Sequence, residues 1–231
     1  MARFNLNEAG KTNFLRGMNY ALRNARELLS EASTLYRKGA YRRAVSLSVL
    51  ALEEAGKVVF LVMCFNEERS TTPKRNLDEL WRHFYSHKTK VRFFNDYDSS
   101  QWKLLLYVKK RKHNESAVYI RKVIRPLLVA NTSVYSFMKR NKIRSIGDLK
   151  LRCIYVDVSK DGMQFVLPCS VPAEVAKSMM IISKAHIHDA ASIRDSFRRS
   201  RTTRLSDNII DIVTRDFQME KIGRELSKKI V

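Results

Sequence analysis

From Phe14 the apolar positions fall at Phe14, Met18, Ala21/Leu22, Ala25, Leu28/Leu29, Ala32 and Leu35/Tyr36, opposed by Arg16, Arg23, Arg26 and Glu27. A stripe of 3.6-residue period sustained for about six turns predicts a long amphipathic helix, and Gly39 is a natural stop for it. A second helix is expected from about Ala40 to Phe65, apolar on nearly every side through Ala44-Val45, Leu47, Val49 to Leu52 and Val58 to Phe65. Such a helix must be surrounded, which makes it the expected central element. Asn66 to Asn76, with Thr71-Thr72-Pro73, is polar and proline-interrupted and predicts a loop. A third helix is expected from about Leu77 to Phe94.

After the turn-like Asn95 to Ser100, helical spacing returns at Trp102, Leu105/Leu106 and Val108. A further stripe runs Val118, Ile120, Val123/Ile124, Leu127, Asn131, Val134 and Met138, crossing Pro126, which should kink the helix or begin a new one. Residues 151–167 break this period. Cys153 to Val158, then Ser159-Lys160-Asp161-Gly162, then Met163 to Leu167 predict a β-hairpin on an Asp-Gly turn. Ser170-Val171-Pro172-x-Glu174 opens another helix, whose stripe is Val175/Ala176, Met179, Ile182, His186, Ala190, Ile193 and Phe197. The expected organisation is one mainly helical domain over residues 1–197 and an appendage, 198–231. The appendage comprises a basic linker, Arg198 to Ser206, and an amphipathic segment carrying Ile209/Ile210, Val213 and Phe217. That segment is expected to dock on the body or on a second subunit.

Composition narrows the function. The chain has 231 residues, 45% of them apolar, with 7 Gly, 4 Pro and 3 Cys, which excludes collagen-like, low-complexity and disulfide-stapled classes. Cys64, Cys153 and Cys169 show no C-x-x-C spacing, so a reducing cytoplasm is expected. The opening MARFNLNEAGKTNF has no signal-peptide core, and the longest apolar run, Val58 to Phe65, is far short of the roughly 20 residues of a membrane span. No membrane association is therefore expected. Net charge is +21, concentrated in residues 101–200, and such a field attracts polyanions, nucleic acid above all. Lys109-Lys110-Arg111-Lys112, Lys139-Arg140-x-Lys142-x-Arg144 and Arg194…Arg198-Arg199-x-Arg201 suit phosphate contacts, although each alone also reads as a solvated face.

Glu53-Glu54-x-x-Lys57 places three charges in the central apolar helix, where charges do not sit unpaired. One reading is an i,i+4 pair from Glu53 to Lys57 on an exposed strip; the other has Glu54 or Lys57 facing a polar cleft. Arg82-His83-Phe84-Tyr85-Ser86-His87-Lys88-x-Lys90-x-Arg92 is the second candidate. On a helix Arg82 and His87 would stand about 140° apart, compatible with one shared cleft. A His near neutral pKa can take a 2′-OH proton while a guanidinium stabilises charge building on phosphorus, which is what metal-free RNA cleavage requires. Spacing alone decides little, since chance supplies about one or two Arg–His matches in a chain of this composition. His186 and His188 are i,i+2 on a helix and point apart, so a core role is expected for His186 rather than metal binding. P-loop, dinucleotide and G-x-S-x-G elements are absent from the sequence, and so is a clear helix-turn-helix.

Taken together, Tyr41 to Phe60 (YRRAVSLSVLALEEAGKVVF), Phe84 to Lys90 (FYSHKTK) and Leu151 to Asp157 (LRCIYVD), followed by Gly162 and Pro168, resemble the AbiV family. These are phage abortive-infection proteins within the HEPN superfamily, and the resemblance spans roughly residues 10–195. It implies an all-α, HEPN-like helical bundle, here with a small hairpin insertion near 151–167, and frequently a homodimer. Many members of the superfamily are metal-independent endoribonucleases with an Arg-x(4–6)-His motif. Carried over, Arg82 and His87 match that motif, with His83 in the polar place after the Arg, and Glu54 and Lys57 match the family's second-helix element. The implied chemistry uses His87 as general base, Arg82 on the phosphorane and His83 or Lys57 assisting, giving 2′,3′-cyclic phosphate and 5′-OH ends with no cofactor or metal. Lys88, Lys90, Arg92 and Lys109, Lys110, Arg111, Lys112 would bind the RNA. The alternative is a non-catalytic bundle that binds RNA, or a phage or host protein, and blocks translation or sequesters its partner. A phage-encoded product would then be its activator or target.

Overall fold

The computed structural model describes residues 8–68, 125–155, 157–158 and 165–199 of the chain. Among them are helices α1 (Glu8–Arg37), α2 (Tyr41–Glu68), α3 (Arg125–Arg140), α4 (Ile146–Ile154) and α5 (Ala173–Arg199), and strands β1 (Asp157–Val158) and β2 (Phe165–Val166). The described part is thus mainly helical.

The first two helices form the expected hairpin. Gly39, at φ +75°, takes the left-handed conformation that favours glycine. Ala40 N–H donates to Leu35 O at 2.9 Å and Gly39 N–H to Tyr36 O at 3.0 Å, which satisfies the last carbonyls of α1 and turns the chain. The same pair of bonds ends α3, from Ile143 to Met138 at 2.9 Å and from Lys142 to Lys139 at 3.2 Å, with Lys142 at φ 52° in the left-handed place. Ser145 then caps α4, its Oγ accepting from Asp148 N–H at 3.0 Å.

α2 is the central helix. It packs against α1, α4 and α5, and Ala44, Val45, Val49, Ala51, Leu52, Ala55 and Val58 are all buried. Phe65 sits where three helices meet, its ring edge-on to Phe14 of α1 (5.5 Å) and to Phe197 of α5 (4.8 Å). The apolar stripe of α5 closes on the same core, with Val175, Ala176, Met179, Ile182, His186, Ala190 and Phe197 buried. Inside the core, Ser183 Oγ donates to Ser48 O at 2.7 Å, tying α5 to α2. α4 is tied to α2 by Lys150 Nζ, 2.7 Å from Glu53 Oε1, both side chains deeply buried, and by Ser46 Oγ donating to Lys150 O at 3.2 Å.

Several expectations need correction. α2 runs through Glu68, so Asn66 to Glu68 are helical rather than part of the expected loop, and the rest of that expected loop lies outside the described residues. α3 is described from Arg125, and the part of the expected stripe that precedes it, residues 118–124, lies outside the described residues. Cys153 and Ile154, expected in a strand, form the last turn of α4. Among the described residues the strands are two residues each, paired antiparallel as Asp157 with Val166 and Val158 with Phe165, and residues 156 and 159–164 lie outside the described residues. α5 continues through Arg198 and Arg199, past the expected start of the linker. The helices expected at 77–94 and near 102–108, and the segment beyond Ser200, lie outside the described residues.

Two stability predictions follow from this packing. Phe65→Ala removes a ring that three helices share and should cost about 3–5 kcal/mol in urea unfolding. Glu53→Ala leaves the Lys150 ammonium buried without its carboxylate and should cost a comparable 3–5 kcal/mol, whereas Glu53→Met combined with Lys150→Met should recover most of the loss. A double variant as unstable as Glu53→Ala would show that the charge pair is not what docks α4.

Candidate functional site

The helix repeat divides α2 into three sides. Its apolar arc, from Ala44 to Val59, is buried against α1 and α5. A second side, bearing Arg42, Ser46 and Glu53, faces α4 and the chain that precedes α5. The third side is a narrow strip at i, i+3, i+7 and i+10, formed by Leu47, Leu50, Glu54 and Lys57, and these alone of the residues from Ala44 to Val62 remain half-buried. The strip lies about 90° around the helix from the α4-facing side.

This geometry decides how the three charges of α2 are used. Glu53 does not pair with Lys57 on the surface; it turns inward to Lys150, 97 residues further along the chain. Lys57 instead meets Glu54, with Nζ 2.5 Å from Oε1 in an i,i+3 pair whose side chains keep 25% and 17% of their exposure. Glu54 and Lys57 are therefore accessible to a ligand, and Glu53 is a structural residue. Lys150 was not foreseen as its partner; the signal for some such cation was a carboxylate in an otherwise apolar helix, but nothing local pointed to position 150.

The remaining catalytic candidates, Arg82, His83 and His87, lie outside the described residues, as do Lys88, Lys90, Arg92 and Lys109, Lys110, Arg111, Lys112. Two of the three basic clusters are described wholly or in part. Lys139, Arg140, Lys142 and Arg144 are all exposed around the end of α3, and Arg198 and Arg199 are exposed in the last turn of α5. Arg194 is held back, donating from Nη1 to Asn19 Oδ1 of α1 at 2.6 Å. Between α1 and α5 runs an open groove of about 730 Å³ with an apolar floor that includes Leu29 and Ile181 and a cationic rim of Arg26, Lys177 and Lys184. All these features present positive charge from helix ends and rims, where phosphate oxygens can approach.

His186, on the buried stripe of α5, is 2% exposed, while His188 faces out beside Asp189 at 3.7 Å. The two imidazoles do not converge. Among the described residues there is no group of three or more His, Cys, Asp or Glu side chains able to hold a metal ion, and no helix long and apolar enough to cross a membrane.

A search of curated proteins and a search of solved structures each found no match. The family model for AbiV, of the HEPN type, matches residues 13–189. That span runs from the first turns of α1 to Asp189 in α5, and Glu54, Lys57 and the Arg82–His87 stretch fall within it. With more than three quarters of its length matched, the chain belongs to the HEPN AbiV family.

Proposed function

We propose that this protein is an anti-phage abortive-infection factor that acts as a metal-independent endoribonuclease. The observation that carries the reading is the family match over residues 13–189, because it encloses the only Arg-x(4)-His spacing in the chain together with the Glu54–Lys57 element. In this reading His87 removes the proton from a ribose 2′-OH, and the oxygen attacks the adjacent phosphorus. Arg82 stabilises the phosphorane, and the 5′-oxygen leaves with a proton. Lys57 or His83 assists by holding a non-bridging oxygen. The net charge of +21 and the exposed cations on α3 and α5 draw RNA to the protein.

A homodimer belongs to the same proposal. The apolar stripes of α1 and α5 are spent inside one chain, and among the described residues α3 offers a surface suited to self-association, with Val129 60% and Tyr135 70% exposed. The charge also supports a second reading, an RNA-sequestering bundle without chemistry, since binding needs only the cations. A phage-encoded product would serve as activator in the first reading and as target in the second.

The decisive experiment incubates wild-type, Arg82→Ala and His87→Ala proteins with total cellular RNA in EDTA and identifies the fragment ends. Cleavage to 2′,3′-cyclic phosphate and 5′-OH ends is expected, lowered about 10²-fold or more in both variants and less in Lys57→Ala. Activity that survives His87→Ala in a nuclease-free preparation would reject the assigned base. Intact RNA bound with a steep salt dependence, in the presence of phage lysate as well as without it, would favour sequestration.

A further inference from the structure

Two thiols far from the α2 strip meet where α4 ends. Cys153 is buried in the last turn of that helix, and Cys169, directly after Pro168 on the approach to α5, is half-buried. Their Sγ atoms are 3.7 Å apart in a hydrogen bond. The backbone holds them there, for Cys169 N–H donates to Arg152 O at 2.9 Å. From α2, Arg42 Nη1 reaches Pro168 O at 3.5 Å, and Ser46 lies against the same end of α4 through its bond to Lys150 O.

The surroundings make the two sulfurs chemically unequal. The hydrogen bond from Cys153 brings the Cys169 thiol down to about 7 against the opposing effect of partial burial, helped by a backbone N–H and by the Arg152 and Arg42 guanidinium charges. Cys153 is pushed upward by that same hydrogen bond first and by burial next, so it keeps its proton. Near neutral pH one sulfur therefore has substantial thiolate character at a half-buried position, and the other is a buried thiol touching it. Thiolate character combined with access governs attack on peroxides, and a neighbouring thiol governs what the product becomes.

We propose that Cys169 is a peroxide-reactive site and that Cys153 is its resolving partner, the two closing a reversible disulfide between the end of α4 and the segment leading into α5. The Cys169 sulfur attacks one oxygen of hydrogen peroxide; the O–O bond breaks, and the departing oxygen takes up a proton and leaves as water. The sulfur, oxidised by two electrons, is now a sulfenic acid. Cys153 Sγ then bonds to Cys169 Sγ, the S–O bond breaks, and the hydroxyl departs with the Cys153 proton as a second water. A disulfide bond is about 2 Å long, so closure asks the sulfurs to approach by roughly 1.7 Å. The product would fasten the chain carrying β1 and β2 at both ends to α4, and a dithiol would release it. This chemistry is independent of whether the protein cleaves RNA, because its readout is the thiols themselves.

The test treats the reduced full-length protein with equimolar hydrogen peroxide at pH 7, alkylates it, and maps the cysteines by mass spectrometry. The expected product is a Cys153–Cys169 peptide pair joined within one chain and restored by dithiothreitol, with Cys64, buried in the core, still alkylatable after denaturation. In Cys153→Ser, which keeps a hydrogen-bond donor, Cys169 should be trapped by dimedone as the sulfenic acid. Iodoacetamide modification of Cys169 should be half-maximal near pH 7 and move upward in Arg42→Ala. A protein with unchanged helical circular dichroism whose Cys169 reacts no faster than Cys64, or whose disulfides join two chains, would overturn the proposal.

Discussion

A helix that is apolar around most of its circumference lowers its free energy only by being surrounded, and α2 imposes that demand on α1, α4 and α5. Its arc from Ala44 to Val59 is closed by α1 and α5, whose own stripes are one-sided and therefore leave polar faces to solvent. Buried serines let the helices come close without stranding hydroxyls. Ser48 Oγ returns its proton to Ala44 O at 2.8 Å, and Ser183 spends its own on Ser48 O. Phe65 then locks the far end, with one ring on each side from α1 and α5.

α4 depends on a different kind of contact. Nine residues are too few to hold a helix in water, so this one relies on its Ser145 cap and on docking. The docking adds polar ties to the buried Ile146, Leu149 and Cys153: Glu53 to Lys150 and Ser46 to Lys150 O, both from the same side of α2 that carries Arg42. A buried ion pair is a poor source of net stability but a strict selector of register, because any shift of α4 along α2 leaves two charges uncompensated. That strictness extends to the end of α4, where it fixes Cys153 and, through Arg152 O, Cys169.

Much of this was legible in the residue pattern, and the failures have physical causes. The stripes of α1 and α5, the stop at Gly39, the encirclement of α2 and the burial of His186 all follow from helical periodicity, which reports tertiary burial directly. The likeness of EEAGK and SHKTK to AbiV proteins was legible too. α4 was not, because Cys153-Ile154-Tyr155-Val156 has the β-branched and aromatic composition of a strand, while docking on α2 and the Ser145 cap favour a helix as far as Ile154. The partner of Glu53 and the meeting of Cys153 with Cys169 were hidden for another reason. Each joins positions whose proximity exists only once α4 is placed, and no local spacing encodes that.

The division of labour between Glu53 and Glu54 shows why adjacent carboxylates on one helix acquire different fates. One residue of α-helix is about 100° of rotation, enough to carry Glu53 into the α4 interface and leave Glu54 on the strip. Glu53 is committed, since releasing it would strand Lys150. Glu54 and Lys57 meet in a partly exposed ion pair, and a pair of this kind is worth about 0–1 kcal/mol. Opening that pair to offer the Lys57 ammonium to a phosphate oxygen costs correspondingly little. The half-buried strip of α2 thus carries a charge pair that can be exchanged with a ligand, as an RNA-handling role for the Glu54–Lys57 element requires.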